Sequence, residues 1–371
     1  MDPLERVSIV SPYALSAFGG VQEQVLAMSR ELSRRGLHVQ VLAPDGSDQS
    51  RVDTPAQVVR LGPLISVRAN GSRAPLTLSA RAARQADEHI RSFRPDVVHF
   101  HEPFAPRLGW RALRAHRVAA VATFHRSGSG PALTLSAPLL RRWARHLDVC
   151  VAVSAQAART ASTSYGVSAT ILFNGFETER FTEFAREDQA RTTLVVVGRL
   201  EERKGAATVV TAVRQHNARS DPPWRLVVIG DGPERANLAR LAGTDGNIDF
   251  LGAVSDEEKR RWYRRADVVV APATHGESFG LILLEAMAAR TRVVASDIPG
   301  YRDAALSHAV FFAPADPRSL EGAIDQALLS RDDTTLEGAR RHAEGWSMRH
   351  LIDEYLDVYR RAQAIHASGV T

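Results

Sequence analysis

Short apolar runs rich in Val, Ile and Ala recur along the chain, separated by longer segments whose apolar positions return every three to four residues. The runs predict strands and the periodic segments predict amphipathic helices. VSIV (7–10) leads through a loop to Gly19-Gly20 and a helix VQEQVLAMSRELSRRG, stopped by Gly36, before a second strand HVQVLAP (38–44). Further strands are expected at VVRL (58–61), DVVHFH (96–101), AAVATFH (119–125) and VCVAVS (149–154), with helices over 76–93 and near 138–147. A polar segment, 176–192, interrupts the alternation, which then restarts. TLVVVGRL (193–200), WRLVVIGDG (224–232), NIDFLGAV (247–254), ADVVVAPA (266–273), TRVVASD (291–297) and AVFFAP (309–314) are six more strands with helices between. Alternating apolar strands and helices imply parallel sheets covered on both faces. The reading is α/β: two doubly wound, Rossmann-like domains over 1–180 and 190–345, with a helix over 346–371 expected to pack back on the first. Such sheets bind ligands at their strand C-termini, so the two domains are expected to face a shared cleft.

A length of 371 residues suits two domains of ordinary size. The single cysteine, Cys150, excludes an internal disulfide and fits a reducing cytoplasm. MDPLERVSIVSPY has no basic segment ahead of an apolar core, so no secretory leader is expected. No run of about 18 uncharged apolar residues is long enough to span a bilayer. The expected location is therefore cytoplasmic, with peripheral contact at the inner face of the plasma membrane. Charge sharpens that last point: residues 51–150 hold 16 basic against 6 acidic side chains, while 181–371 hold 25 against 28. A basic first half suits an anionic membrane face or an acidic small molecule. The interleaved aromatic and basic residues of an RNA platform are missing, so nucleic acid is not an expected partner. Of 47 basic residues only Lys204 and Lys259 are lysine. Their compact ammonium groups mark two places for attention.

The stretch THGESFGLILLEAMAAR (274–290) places Glu285 inside an otherwise apolar helix, eight residues after Glu277. A helix without a polar stripe is buried, and a buried carboxylate needs hydrogen-bond partners. Hydroxyls of a bound ribose would supply them; a structural salt bridge is the alternative. Ser278 is the expected N-cap, leaving the amides of Phe279, Gly280 and Leu281 free for a phosphate. The loop GRLEERKG (198–205) offers Arg199, Arg203 and Lys204 after a strand, cations for the other side of a diphosphate. Asp256, in GAVSDEEKRRWY, suits a guanine edge and the Val254 backbone suits any base; helix capping is the plainer role for Asp256. In the first domain Gly20 opens a helix, and His125 ends the strand AAVATFH before the polar loop RSGSG. HFHEP likewise puts His101 and Glu102 at a strand end. No HExxH, cysteine pair or DxD triplet marks a metal site, so leaving-group charge is expected to be balanced by Arg199, Lys204 and helix amides.

With these residues the chain resembles the retaining GT-B-fold glycosyltransferases of family four over nearly its full length. The resemblance rests on the two glutamates of HGESFGLILLEA, GRLEERKG, VVIGDGPE, SDIPG and Trp346. PYALSAFGGVQEQV, VHFHEPFAP, VATFHRS and GESFGLILLEAMAA are similar to the actinobacterial phosphatidylinositol mannosyltransferases that use GDP-mannose. The resemblance implies Glu285 on the donor ribose, Glu277 on the donor hexose, Arg199 and Lys204 on the diphosphate, and Gly20 against it. It places Asp256 and Lys259 at the guanine pocket, His125 near the transferred sugar, and Tyr13 and Gln22 on the acceptor side. Three positions depart from the family pattern. Arg290 stands where the family has a helix-capping glycine, RSGSG lacks a lysine for which Arg126 would substitute, and Asp87 and Glu88 dilute the basic helix over 81–91.

The implied activity is transfer of a hexose, mannose from GDP-mannose, with retention and without a metal or other cofactor. The implied acceptor is an inositol-containing or other anionic lipid. The rivals are the same chemistry on a soluble acceptor, such as a natural-product aglycone or an inositol phosphate, the same chemistry from a UDP-linked sugar, a sugar-nucleotide epimerase, and a non-catalytic nucleotide-binding relative.

Overall fold

The computed structural model describes residues 3–16, 19–46, 52–69, 72–105, 108–115, 118–126, 131–186, 189–277, 280–329 and 333–369. They divide into two compact units, Met1–Phe176 with Met348–Thr371, and Glu177–Ser347.

The first unit runs β1 (Arg6–Val10), α1 (Gly20–Arg34), β2 (His38–Pro44), β3 (Gln57–Leu61), β4 (Ile65–Ala69), β5 (Ser72–Leu76), α2 (Ala80–Phe93), β6 (Val97–His101), α3 (Leu108–Ala115), β7 (Ala119–Phe124), α4 (Pro131–Ala144), β8 (Val149–Ala152), α5 (Ala155–Tyr165) and β9 (Thr170–Ile171). Its main sheet is parallel in the order β3-β2-β1-β6-β7-β8-β9. The central strands are buried on both faces because helices cover both. α1 ends as the glycine signal predicts, with Gly36 at φ 86° just beyond it. The helix expected over 76–93 starts later, at Ala80, where Ser79 caps it by accepting from the Ala82 amide. Leu76 belongs instead to an antiparallel β4–β5 hairpin, which the apolar pattern does not predict. The helix expected near 138–147 is α4, which begins at Pro131 and carries Pro138 inside.

The second unit opens with a 3₁₀ turn (Thr178–Phe181), within the polar segment that interrupts the strand–helix alternation. It continues with β10 (Thr193–Val197), a 3₁₀ turn (Glu202–Lys204), α6 (Ala206–Asn217), β11 (Arg225–Ile229), α7 (Arg235–Ala242), β12 (Ile248–Gly252), α8 (Asp256–Arg265), β13 (Val268–Ala271), α9 (Leu281–Ala288), β14 (Arg292–Ser296), α10 (Pro299–Ala305), β15 (Val310–Phe312), α11 (Pro317–Leu329) and α12 (Asp333–Glu344). All six predicted strands are present, in the parallel order β12-β11-β10-β13-β14-β15. Both units are thus Rossmann-like, each with one switch point where the chain changes direction across the sheet. These lie between β1 and β6 in the first unit and between β10 and β13 in the second.

The last helix, α13 (Met348–Ser368), belongs to the first unit. Its Met348 amide donates to the Phe176 carbonyl at 2.7 Å, and Asp353 pairs with Arg35 at 2.6 Å. Leu351, Ile352, Tyr355, Val358 and Tyr359 are buried against the sheet with Ile9, Val97, Val121 and Val149. Burying one such side chain contributes about 1.5–3 kcal/mol, so removal of α13 would uncover the part of this core that it shares with α1.

Candidate functional site

In the second unit the loops after β10 and β13 meet at the switch point. Gly205, at φ 69°, lets them touch: a Cβ there would stand 2.0 Å from the Pro272 carbonyl oxygen. The Thr274 amide then donates to the Arg203 carbonyl at 2.9 Å, and its hydroxyl to the same oxygen at 3.2 Å. This clamp brings Glu277 to the basic loop. Its Oε1 accepts from Lys204 Nζ at 2.5 Å and from Arg203 Nη1 at 3.0 Å. Glu201 in turn pairs with Arg203 at 3.1 Å and Arg199 at 3.3 Å. Arg199 is thus the outermost of the three cations expected to face a diphosphate, while Lys204 and Arg203 both stand beside Glu277.

Glu285 is the second carboxylate, and α8 supplies its partners. Its Oε1 accepts from Lys259 Nζ at 3.2 Å and its Oε2 from the Tyr263 hydroxyl at 2.7 Å. A salt bridge and a buried phenol therefore satisfy half of its acceptor capacity. Lys259 also reaches Asp256 at 3.1 Å and lies 5.9 Å from the centre of the Phe181 ring. Asp256 pairs in addition with Arg260, while Arg180 stands 3.8 Å away. Burial acts to raise the Asp256 carboxyl, yet Lys259, Arg260 and Arg180 hold it below its ordinary value. Asp256 is not the helix cap: Ser255 caps α8 by accepting from the Glu258 amide. Val254 sits in the turn between β12 and α8. Sequence reasoning missed Tyr263, although 256, 259, 260 and 263 share one helical face and so carried a readable signal.

The start of α9 differs from expectation. Ser278 and Phe279 lie outside the described residues, and the N-cap is Gly280, in the left-handed region at φ 68°. A Cβ there would also come within 2.8 Å of the Tyr301 ring. The first helical residue is Leu281, which puts Glu285 about one turn into the helix. At the other end Arg290 forms a left-handed helix end. It has φ 55°, its amide donating to the Met287 carbonyl and that of Thr291 to the Ala286 carbonyl.

The first unit gathers a second cluster at the ends of β1, β6 and β7. His99 and His101 project from the same face of β6, with ring centroids 4.5 Å apart, and His125 stacks on His101 at 5.2 Å. His101 Nδ1 and His125 Nε2 are 2.9 Å apart. Deeper in, His99 bonds the Tyr359 hydroxyl at 2.8 Å and Thr123 at 2.7 Å, and Thr123 bonds the Tyr355 hydroxyl at 2.8 Å. Burial pushes His99 down to about 3, His125 to about 4 and His101 well below its ordinary value, so all three rings are neutral at pH 7. Glu102 has φ 46°, a strained conformation for a carboxylate residue. Its buried carboxylate accepts from the His125 amide at 2.5 Å and the Arg126 amide at 2.6 Å. Burial raises its pKa against the pull of those two amides. Tyr13, from the β1 loop, is pushed up to about 12, first by burial and then by Glu102. Gly20 is the first residue of α1 and a Cβ on it would meet nothing within 4 Å, whereas buried Gln22 folds back over Gly19. Tyr13, His125 and Arg126 thus converge on Glu102, a role that sequence reasoning did not give it. Among the described residues no group of three or more His, Cys, Asp or Glu is placed to hold a metal ion.

Residues 18–180 match Glycosyltransferase Family 4 and residues 177–343 match Glycosyl transferases group 1. A phosphatidyl-myo-inositol mannosyltransferase of Mycolicibacterium smegmatis is 34% identical over 358 residues, covering 92% of this chain and 91% of that protein. A D-inositol 3-phosphate glycosyltransferase of Geodermatophilus obscurus is 29% identical over 93% of this chain and 85% of its own. Among solved structures, the sucrose-phosphate synthase of Thermosynechococcus elongatus superposes with a TM-score of 0.74 at 19% identity, covering 97% of this chain and 99% of that one. With its two Rossmann-like units and this kinship, the chain is a GT-B glycosyltransferase belonging to the family of the actinobacterial phosphatidyl-myo-inositol mannosyltransferases.

Proposed function

We propose that this glycosyltransferase moves mannose from GDP-mannose, with retention and without a metal ion, to an inositol-bearing lipid at a membrane surface. The kinship to enzymes named for mannosyl transfer to phosphatidyl-myo-inositol supports the sugar and the acceptor. The observation that carries the donor site is the pair of carboxylates at the second unit's switch point, each already held by a lysine.

Each part of that site has a task in this reading. Glu285 has one acceptor position left on each oxygen once Lys259 and Tyr263 have bonded, a match for the two hydroxyls of a ribose. Lys204, Arg203 and Arg199 meet the diphosphate, whose charge grows as the glycosidic bond breaks. Glu277 shares Lys204 and Arg203 in the free protein, and serves the hexose hydroxyls once the diphosphate takes over those cations. Asp256 is the guanine contact, and must give up part of its ion pairing to become one. In the first unit Tyr13, Gln22 and Arg126 serve the acceptor, and His125 stands by the transferred sugar.

A membrane-borne acceptor is supported by the outer surface of α2, α3 and α4. Arg84, Arg111 and Arg114 there surround Trp110 and Trp143 in a groove of about 490 Å³. Half-buried tryptophans among arginines suit the level of lipid headgroups. Of the two acidic residues expected to dilute this surface, Glu88 is exposed and Asp87 lies beneath the arginines. Asp87 is buried, and pairs with Arg91 at 3.2 Å and Arg111 at 3.3 Å. None of the described helices is long and apolar enough to cross a membrane. A soluble inositol phosphate is the second reading, favoured by the relative named for that acceptor.

The test pairs binding with turnover. GDP should raise the unfolding temperature more than UDP at equal concentration, as binding to the folded state requires. GDP-mannose with phosphatidylinositol vesicles should give mannosylated lipid, unaffected by EDTA. Stronger stabilisation by UDP overturns the donor; transfer to an inositol phosphate but not to vesicles overturns the acceptor; activity lost to EDTA and restored by magnesium overturns the metal-free mechanism.

A further inference from the structure

The histidine row in the first unit contains one polar atom with no evident use. His101 is 1% exposed, and its Nε2 is buried without a hydrogen-bond partner among the described residues. Its other nitrogen, Nδ1, is spent on His125 Nε2 at 2.9 Å. His125 is half-buried and its own Nδ1 makes no hydrogen bond among the described residues. A single proton lies between the two rings, and which ring owns it decides what His125 presents outward.

The two arrangements differ in what they leave stranded. If His125 donated, His101 Nδ1 would have to accept, and the proton of neutral His101 would sit on Nε2 as a buried N–H with no acceptor among the described residues. If His101 donates from Nδ1, the stranded group is a bare ring nitrogen. Orphaned buried N–H donors are the rarer state in folded proteins, while under-used acceptors are tolerated more often. The second arrangement is therefore favoured. His125 then accepts at Nε2 and, being neutral, carries its own proton on Nδ1. The surroundings hold this geometry: the rings of His99, His101 and His125 are stacked in sequence, and Glu102 grips the His125 and Arg126 amides.

We propose that His101 is a positioning residue that donates Nδ1–H to His125 and thereby fixes His125 as an outward Nδ1–H donor, never an acceptor, for a hydroxyl of the transferred hexose. The last clause rests on the proposed function, since it takes His125 to stand beside that sugar. Asn at position 101 can keep the interaction because its amide reaches the place of Nδ1, whereas Phe fills the volume with no donor.

Long-range proton–nitrogen spectra of the full chain labelled with ¹⁵N-histidine report the tautomer directly, without substrate. In the wild-type protein His125 should appear protonated at Nδ1 and bare at Nε2. His101→Phe should shift His125 towards the Nε2–H form and lower kcat by about tenfold or more, as a wrong tautomer does elsewhere, with the stabilisation by GDP unchanged. His101→Asn should keep the wild-type tautomer and hold kcat within about threefold. An Nε2–H signal for His125 in the wild-type protein overturns the proposal, and so does a tautomer or a turnover that His101→Phe leaves alone. If His101→Phe does not fold, the wild-type spectrum and the Asn variant decide. A correct tautomer in a protein that transfers no mannose would keep the hydrogen-bond assignment and remove the function it serves.

Discussion

Arg290 takes a backbone conformation, φ 55°, that costs a side-chain-bearing residue about 1–2 kcal/mol. The helix end around it is otherwise complete: the Arg290 and Thr291 amides close the turn, and Arg264 donates to the Ala289 carbonyl at 2.6 Å. What the arginine offers in return is a 3.6 Å ion pair with Glu337 at the surface, worth about 0–1 kcal/mol. Arg290→Gly should therefore stabilise the second unit by about 1 kcal/mol net, raising its unfolding temperature by about 2–4 °C. A thermal scan checks this, and a lower or unchanged midpoint would show the ion pair to be the stronger term. The position was legible as an anomaly in EAMAAR, because the motif calls for glycine there. Its resolution was not, since a sequence does not say whether the turn rearranges or carries the strain. Glu285 is the same kind of case. A lone carboxylate in LILLEAMA announces a partner, but Lys259 and Tyr263 come from α8, across a strand and a loop, and only the packed unit brings them to it.

Among elements, the strands were the most legible because β-branched apolar runs have few other uses in a chain of this length. The β4–β5 hairpin escaped because its second strand, SRAPL, mixes polar residues and proline and lacks that pattern. β6 is the element with the sharpest predicted consequence. Its VVHFH run puts His99 and His101 on one face, and burial holds both, with His125 of the β7 end, far below their ordinary range. In the unfolded chain all three titrate near 6.5, so below that pH the unfolded state binds more protons. The stability they leave intact above pH 6.5 is lost as pH falls towards the folded values near 4 and 3, by at most about 1.4 kcal/mol per group and pH unit. Glu102, whose pKa burial raises, takes up its proton more readily in the folded state and offsets part of the loss at the acid end. Amide exchange in β6 and β7 should accelerate sharply between pH 6.5 and 4.5 after correction for intrinsic rates, with β10 and β13 changing less. Protection of β6 that persists at pH 4.5 would mean that the histidines take up protons without unfolding.

For the whole molecule the informative quantity is the uneven distribution of charge. Residues 1–180 hold 22 basic against 14 acidic side chains, and 181–371 hold 25 against 28. The excess belongs to the first unit, and α2 presents part of it: Arg81 and Arg84 are exposed and make no ion pair among the described residues, whereas Arg91 is tied to buried Asp87. Basic groups near an anionic leaflet contribute about 1 kcal/mol each at low ionic strength and lose that contribution within a Debye length. The protein should therefore bind phosphatidylinositol-containing vesicles at low salt and leave them as salt rises. Replacing Arg81 and Arg84 together by Gln should weaken vesicle binding by about ten- to thirtyfold at low salt. Both positions lie far in sequence from Lys204, Lys259 and the two carboxylates of the second unit, so stabilisation by GDP should not change. Arg91→Gln is a poorer probe, because it also withdraws a partner from Asp87 and mixes lost stability with lost binding. Co-sedimentation over a salt series, run beside a GDP thermal shift on the same samples, separates the two effects. Vesicle binding that ignores salt would assign the contact to Trp110 and Trp143 instead of the arginines, and no binding at the lowest salt would leave the inositol phosphate as the acceptor to pursue.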